Sequence, residues 1–170
     1  MGKRSAKGLA GVLRGLVDIT LGCNVLAFFI VPRMVRLYSK HWPELSGQPE
    51  LLWRSREPLA LVLFLWFCGV CTLFVLWQAR RVLGSILRGT PFCEDNARAL
   101  RRAAVGAFLI AGAALIRAVL RILWQGGLWS LASYNTLFVP LFAMFGLLCL
   151  VMSALFRQAA ELKAENDLTI

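Results

Sequence analysis

Charge is scarce in this chain, and what there is has one dominant sign. Only 16% of residues are charged against 59% apolar, and the mean hydropathy is +0.68. Soluble domains run nearer roughly 45–50% apolar and about 25% charged, so a free globular domain is disfavoured. Disorder is excluded by the abundance of Leu, Val, Ala and Phe. Histidine is almost missing. His41 alone rules out paired-His haem ligation and a His-rich metal site, and it confines any Ser-His-Asp set to its own surroundings. No GxxxxGK[ST] loop is present, and Gly89-Thr90-Pro91 reads as a turn rather than a phosphate cradle. The cysteines are odd in number: Cys23, Cys68, Cys71, Cys93 and Cys149. That is not a disulfide framework, and four of them sit in apolar runs, where free Cys behaves as a small hydrophobe. No cofactor is expected, and neither an internal repeat nor a low-complexity segment is visible.

What is there is length in apolar runs. Residues 58–79, PLALVLFLWFCGVCTLFVLWQA, carry no charge and are long enough to cross about 30 Å of hydrocarbon. Residues 135–156 form a second uncharged run, closed by Arg157, with Pro140 in the first turns, where a helix tolerates it best. Two more spans carry charge: 11–31 with Arg14 and Asp18, and 103–124 with Arg117 and Arg121. The basic start MGKRSAK before the first run resembles a signal peptide. Without an A-x-A-like cleavage site, and with Asp18 interrupting the apolar stretch, an uncleaved helix is expected. The expected fold is all-α: a polytopic membrane protein forming a single four-transmembrane-helix bundle.

The formal charge of +10 comes from 19 Lys and Arg against 9 Asp and Glu. These cations collect at the ends of apolar runs instead of forming one patch, which argues against direct nucleic-acid binding. Twelve of them fall in the N-terminal segment, the loop 80–102 and the tail 157–170, and five in the first loop. The positive-inside rule therefore places both termini and the middle loop in the cytoplasm. Trp53, Trp124, Trp129 and Tyr134 lie near span ends, where aromatic rings favour the headgroup region, and Trp42 sits deeper in the first loop.

Charge within a span costs at least ~2.5–3.5 kcal/mol at its centre, so Asp18, Arg117 and Arg121 need partners or water. Gly11, Gly15, Asp18 and Gly22 share one helical face, as do Ala103, Ala107, Ile110, Ala114, Arg117 and Arg121. Small residues permit close helix approach, so both faces are expected to look inward. An Asp18–Arg117 pair is one arrangement, but the two differ in depth by roughly 10 Å. The depths favour an Arg14–Asp18 pair at i,i+4, with Arg121 snorkelling to the outer surface. A lone membrane acid such as Asp18 is also what a small proton-coupled transporter would use together with Arg117, although no broken helix pair or inverted repeat accompanies it. Cys68-Gly-Val-Cys71 has the spacing of a thiol–quinone redox motif, but it falls in mid-span, where a thiol makes a poor thiolate. Two core cysteines are the favoured reading.

The middle loop is the most structured polar stretch. Gly89 and Pro91 are helix-stop signals, and Glu94 and Asp95 then fall in a first turn, where the helix dipole favours negative charge. The run Leu87-Arg88-Gly89-Thr90-Pro91-Phe92, with Glu94, Asn96, Ala97, Leu100 and Arg101, resembles the central signature of the domain of unknown function 2975 family. The tail Ala160-Glu161-Leu162 with Glu165-Asn166-Asp167-Leu168-Thr169-Ile170 is similar to that family's ending. Cys93 departs from the pattern, standing where the family often has a serine helix cap. The resemblance implies a small bacterial multi-pass membrane protein without an assigned activity, often encoded beside helix-turn-helix regulators.

These readings make the chain an integral membrane protein without enzymatic activity, regulatory or sensing through a cytoplasmic partner such as a small helix-turn-helix regulator. Its alternatives are a small transporter and, third, a thiol–quinone redox enzyme. The candidate interaction residues are Phe92, Glu94, Asn96, Arg98, Arg101, Glu161, Glu165 and Asp167. Docking of the acidic tail on Arg98, Arg101 and Arg102 would form one cytoplasmic platform. The lipid bilayer is the surrounding partner, and the oligomeric state is left open.

Overall fold

A computed structural model describes residues 3–40, 56–125 and 134–168. The loops with His41, Trp42, Trp53 and Trp129 lie outside the described residues. The described residues form four helices: α1 Lys3–Lys40, α2 Arg56–Leu87, α3 Glu94–Gln125 and α4 Tyr134–Leu168. No strand occurs among the described residues. Each apolar run read from the sequence falls inside one helix, and all four helices are long and apolar enough to cross a membrane. The shortest has 32 residues and therefore reaches about 48 Å at ~1.5 Å per residue, well beyond the hydrocarbon.

Register follows from named contacts. Asp18 meets Arg80 and Phe28 meets Trp66, so α1 and α2 are antiparallel. Ser85 meets Asn96, and Phe64 meets Arg117, which makes α2 and α3 antiparallel. Ser153 bonds to Ala97, and Gly146 lies against Phe108, so α3 and α4 are antiparallel too. The chain runs up, down, up, down, and each helix packs chiefly on its sequence neighbours. The α2–α3 turn marks one end of the bundle, called the turn end below.

The central element is α3. Its small face, Ala97, Ala103, Ala104, Ala107 and Ala114 with Ile110, is buried, as the inward-facing stripe required. Close approach is made by glycines that receive large side chains. A Cβ at Gly106 would stand 2.8 Å from Val75 Cγ2, and one at Gly69 would stand 2.7 Å from the Phe28 ring. Shape complementarity of this kind, rather than apolar transfer, drives helix association where the solvent is itself hydrocarbon.

The first helix departs from expectation twice. It continues through Pro32 to Lys40, although proline removes one backbone donor and leaves the Phe28 carbonyl without its helical partner. Its glycine face is not inward: Gly11, Gly15 and Gly22 have open space above them. The α1–α2 contact is made the other way round, with Phe28 of α1 entering the gap at Gly69 of α2. Outside these seams the surface is apolar, with Leu16, Ile19, Phe29, Leu63, Val70, Leu147 and Leu148 exposed. Such a surface matches lipid, and the protein is a multi-pass membrane protein.

Candidate functional site

The turn end holds the most organised polar structure. The last turn of α2 closes in a Schellman motif: Gly89 N–H donates to the Ile86 carbonyl and Thr90 N–H to that of Ser85, both at 3.1 Å. Gly89 takes φ +84°, a left-handed conformation that costs other residues a Cβ clash. Pro91 follows and prevents the helix from resuming. The Cys93 carbonyl accepts the Asn96 N–H at 3.0 Å and so opens α3, with Glu94 and Asp95 in its first turn.

Asn96 locks the corner. Its side chain is 1% exposed, and Nδ2 donates to the Pro91 carbonyl at 2.7 Å. The Ser85 hydroxyl lies 2.7 Å from both Asn96 Oδ1 and the Val82 carbonyl, so its single proton is shared between two acceptors. One buried amide therefore ties the end of α2, the turn and the start of α3. The fourth helix joins through Ser153 Oγ, which donates to the Ala97 carbonyl at 2.7 Å, and through Phe156, whose ring centroid is 5.6 Å from that of Phe92.

Around this latch the charged candidates are exposed and pair locally. Arg98 meets Glu94, and Arg157 meets Glu161, each at 2.9 Å and each within its own helix. Arg98 and Glu161, two of the residues named for tail docking, thus each have a partner in their own helix. Residues 157–168 of the tail continue α4, which reaches the turn through Phe156 and the first turns of α3 through Ser153. Arg101 is exposed, Glu165 has an interaction of its own, and the side chain of Asp167 lies outside the described residues.

Within the spans, Asp18 pairs neither with Arg14 nor with Arg117. Its Oδ1 lies 2.9 Å from Arg80 Nε, an ion pair in which the N–H is not aimed at the carboxylate. Arg80 is the first cation of the 80–102 segment, and antiparallel packing of α1 on α2 brings it to Asp18. Arg117 stands instead over the Phe64 ring, 4.8 Å from its centroid, a cation–π geometry. Phe64 and Arg80 are about 24 Å apart along α2 at ~1.5 Å per residue, which is why Asp18 and Arg117 do not meet. The side chain of Arg121 lies outside the described residues.

Two threonines in the spans are satisfied within their own helix. Thr20 Oγ1 donates to the Leu16 carbonyl and Thr72 Oγ1 to that of Cys68, each at 2.8 Å. Gln78 is buried, and its Oε1 has no hydrogen-bond partner among the described residues. A cavity of about 240 Å³ between all four helices is lined by Asn24, Phe28, Phe64, Cys68, Thr72 and Phe142, among others. Cys68 and Cys71 are free thiols, the second buried. No group of three His, Cys, Asp or Glu among the described residues could hold a metal.

Comparison with known proteins gives one match. The family model described as "Protein of unknown function (DUF2975)" covers residues 9–170. No curated protein and no solved structure matches the chain.

Proposed function

The chain belongs to the DUF2975 family, and from that premise we propose a membrane protein without enzymatic activity of its own, regulating or sensing through a protein partner. The observation that carries this reading is the stiffened turn end. A corner held by a buried amide, yet exposing Phe92, Glu94, Arg98 and Arg101, suits presentation of a fixed surface. Phe92 is 49% exposed despite its contact with Phe156, so a face of its ring is left for a partner. The twelve cations gathered at this end support its cytoplasmic location, and a bacterial inner membrane is what the family resemblance implies. A small helix-turn-helix regulator is the partner class that the family resemblance implies. Capture of the full chain from cross-linked intact membranes should recover such a protein, and Phe92→Asp should abolish the recovery. Equal recovery with both chains, or none with the unaltered one, overturns the proposal.

A small transporter is the second reading, favoured by the cavity between all four helices. The Arg80 partner of Asp18 weighs against it, because the carboxylate faces a cation of the neighbouring helix and does not line the cavity. Proton-coupled flux abolished by Asp18→Asn would establish it. Quinone reduction dependent on Cys68 or Cys71 would instead make the protein a redox enzyme.

A further inference from the structure

Gly84 lies in the last turn of α2, and its surface is covered by two arginines from different elements. A Cβ built on Gly84 would stand 4.0 Å from Arg14 Nη1 and 4.0 Å from Arg88 Nη1. The two guanidinium nitrogens are therefore no more than about 8 Å apart. Like charges converge there across a residue with no side chain. One turn deeper, Arg80 is matched by Asp18, the only carboxylate that α1 and α2 carry at this end. Among the described residues neither Arg14 nor Arg88 forms an ion pair. The group of Arg14, Arg80, Arg88 and Asp18 thus keeps two positive charges over a shallow floor.

We propose that Arg14 and Arg88 bridge the phosphate of an anionic lipid seated over Gly84 between α1 and α2. The spacing fits: a phosphate accepting one bond of about 2.7–2.9 Å from each arginine through different oxygens spans such a gap. Arginine is the residue suited to that contact, presenting planar donors to phosphate oxygens. Depth selects a lipid as the source. The uncharged run of α2 ends at Ala79, five residues or about 8 Å before Gly84 along the axis, so the site lies at the level of the headgroups. Trp77, two turns deeper on the face of α2 that carries Gly84, is exposed and offers apolar surface to an acyl chain. The inference requires membrane residence but not the partner proposed above.

Native mass spectrometry of the purified full chain tests it, in micelles holding equal phosphatidylglycerol and phosphatidylcholine. The unaltered chain should retain phosphatidylglycerol preferentially. The R14Q/R88Q chain should lose about tenfold or more of that preference, in line with the attraction of anionic lipid for each basic residue at the surface. The single variant R88Q, in an exposed turn residue, should lose part of it. Gly84→Leu should lose it with every charge in place, whereas Arg81→Gln, exposed nearly one turn deeper on α2, should keep it. An unchanged preference in R14Q/R88Q or in Gly84→Leu overturns the proposal. So does complete displacement of the lipid by millimolar inorganic phosphate at constant ionic strength, which would make free phosphate the ligand.

Discussion

At the scale of single residues, two polar side chains carry most of the organisation. Asn96 satisfies two elements from one buried amide, so Asn96→Ala leaves the Pro91 carbonyl and the Ser85 hydroxyl short of a partner. The expected loss is about 1–3 kcal/mol, read as a lower Tm in detergent, with Asn96→Asp recovering little because its side chain brings no N–H. Neither role was legible from the chain alone. An asparagine in the first turn of a helix reads as an exposed polar residue, and its burial depends on α2 returning beside it. Asp18 poses the same difficulty, since its partner lies on another helix. Exchanging the charges tests that pairing: Asp18→Arg should lower the yield of folded protein, Asp18→Arg with Arg80→Asp should restore it, and Asp18→Arg with Arg117→Asp should not.

At the scale of elements, the α2–α3 corner was readable and the helix seams were not. Gly89 and Pro91 announce a stop, and Glu94 and Asp95 a start, because these effects act within one turn of backbone. Gly89→Ala is expected to cost about 1 kcal/mol through its left-handed φ, measured by thermal unfolding. The glycines of α1 show the opposite case. Gly11, Gly15 and Gly22 form a stripe fit for close approach, yet α1 approaches α2 through Phe28 and the gap at Gly69. A pattern of small residues states that a helix can be approached closely, and the neighbour's shape decides whether it is. The α2–α3 seam yields a paired prediction. Gly106→Ala should destabilise by about 1–3 kcal/mol by crowding Val75, and Val75→Ala in the same chain should recover most of the loss in Tm.

At the scale of the whole molecule, four antiparallel spans place the 88–93 turn and both helical ends, Lys3 and Leu168, on one side. A membrane-impermeant maleimide should label Cys93, which is partly exposed at the turn, only from the side on which tags at both termini are accessible. The positive-inside assignment expects that side to be the cytoplasm. Labelling of Cys93 from the opposite side of sealed vesicles would reverse the orientation and remove the setting for a cytoplasmic partner. The same end gathers the Asn96 latch, the Phe92–Phe156 contact and the arginines over Gly84, while the cavity lies toward the other end beside Arg117.

The sequence by itself determined how many times the chain crosses the membrane, where it turns, and which end holds the cations. Those properties depend on hydropathy summed over about 20 residues and on local turn chemistry. Only the tertiary structure decided that Arg80 rather than Arg14 or Arg117 meets Asp18, that Asn96 is buried, and that α1 leaves its glycines open. Each of these is a contact between residues on different helices. In a hydrocarbon solvent such contacts are selected by shape and hydrogen bonding, to which a profile of apolar runs is blind.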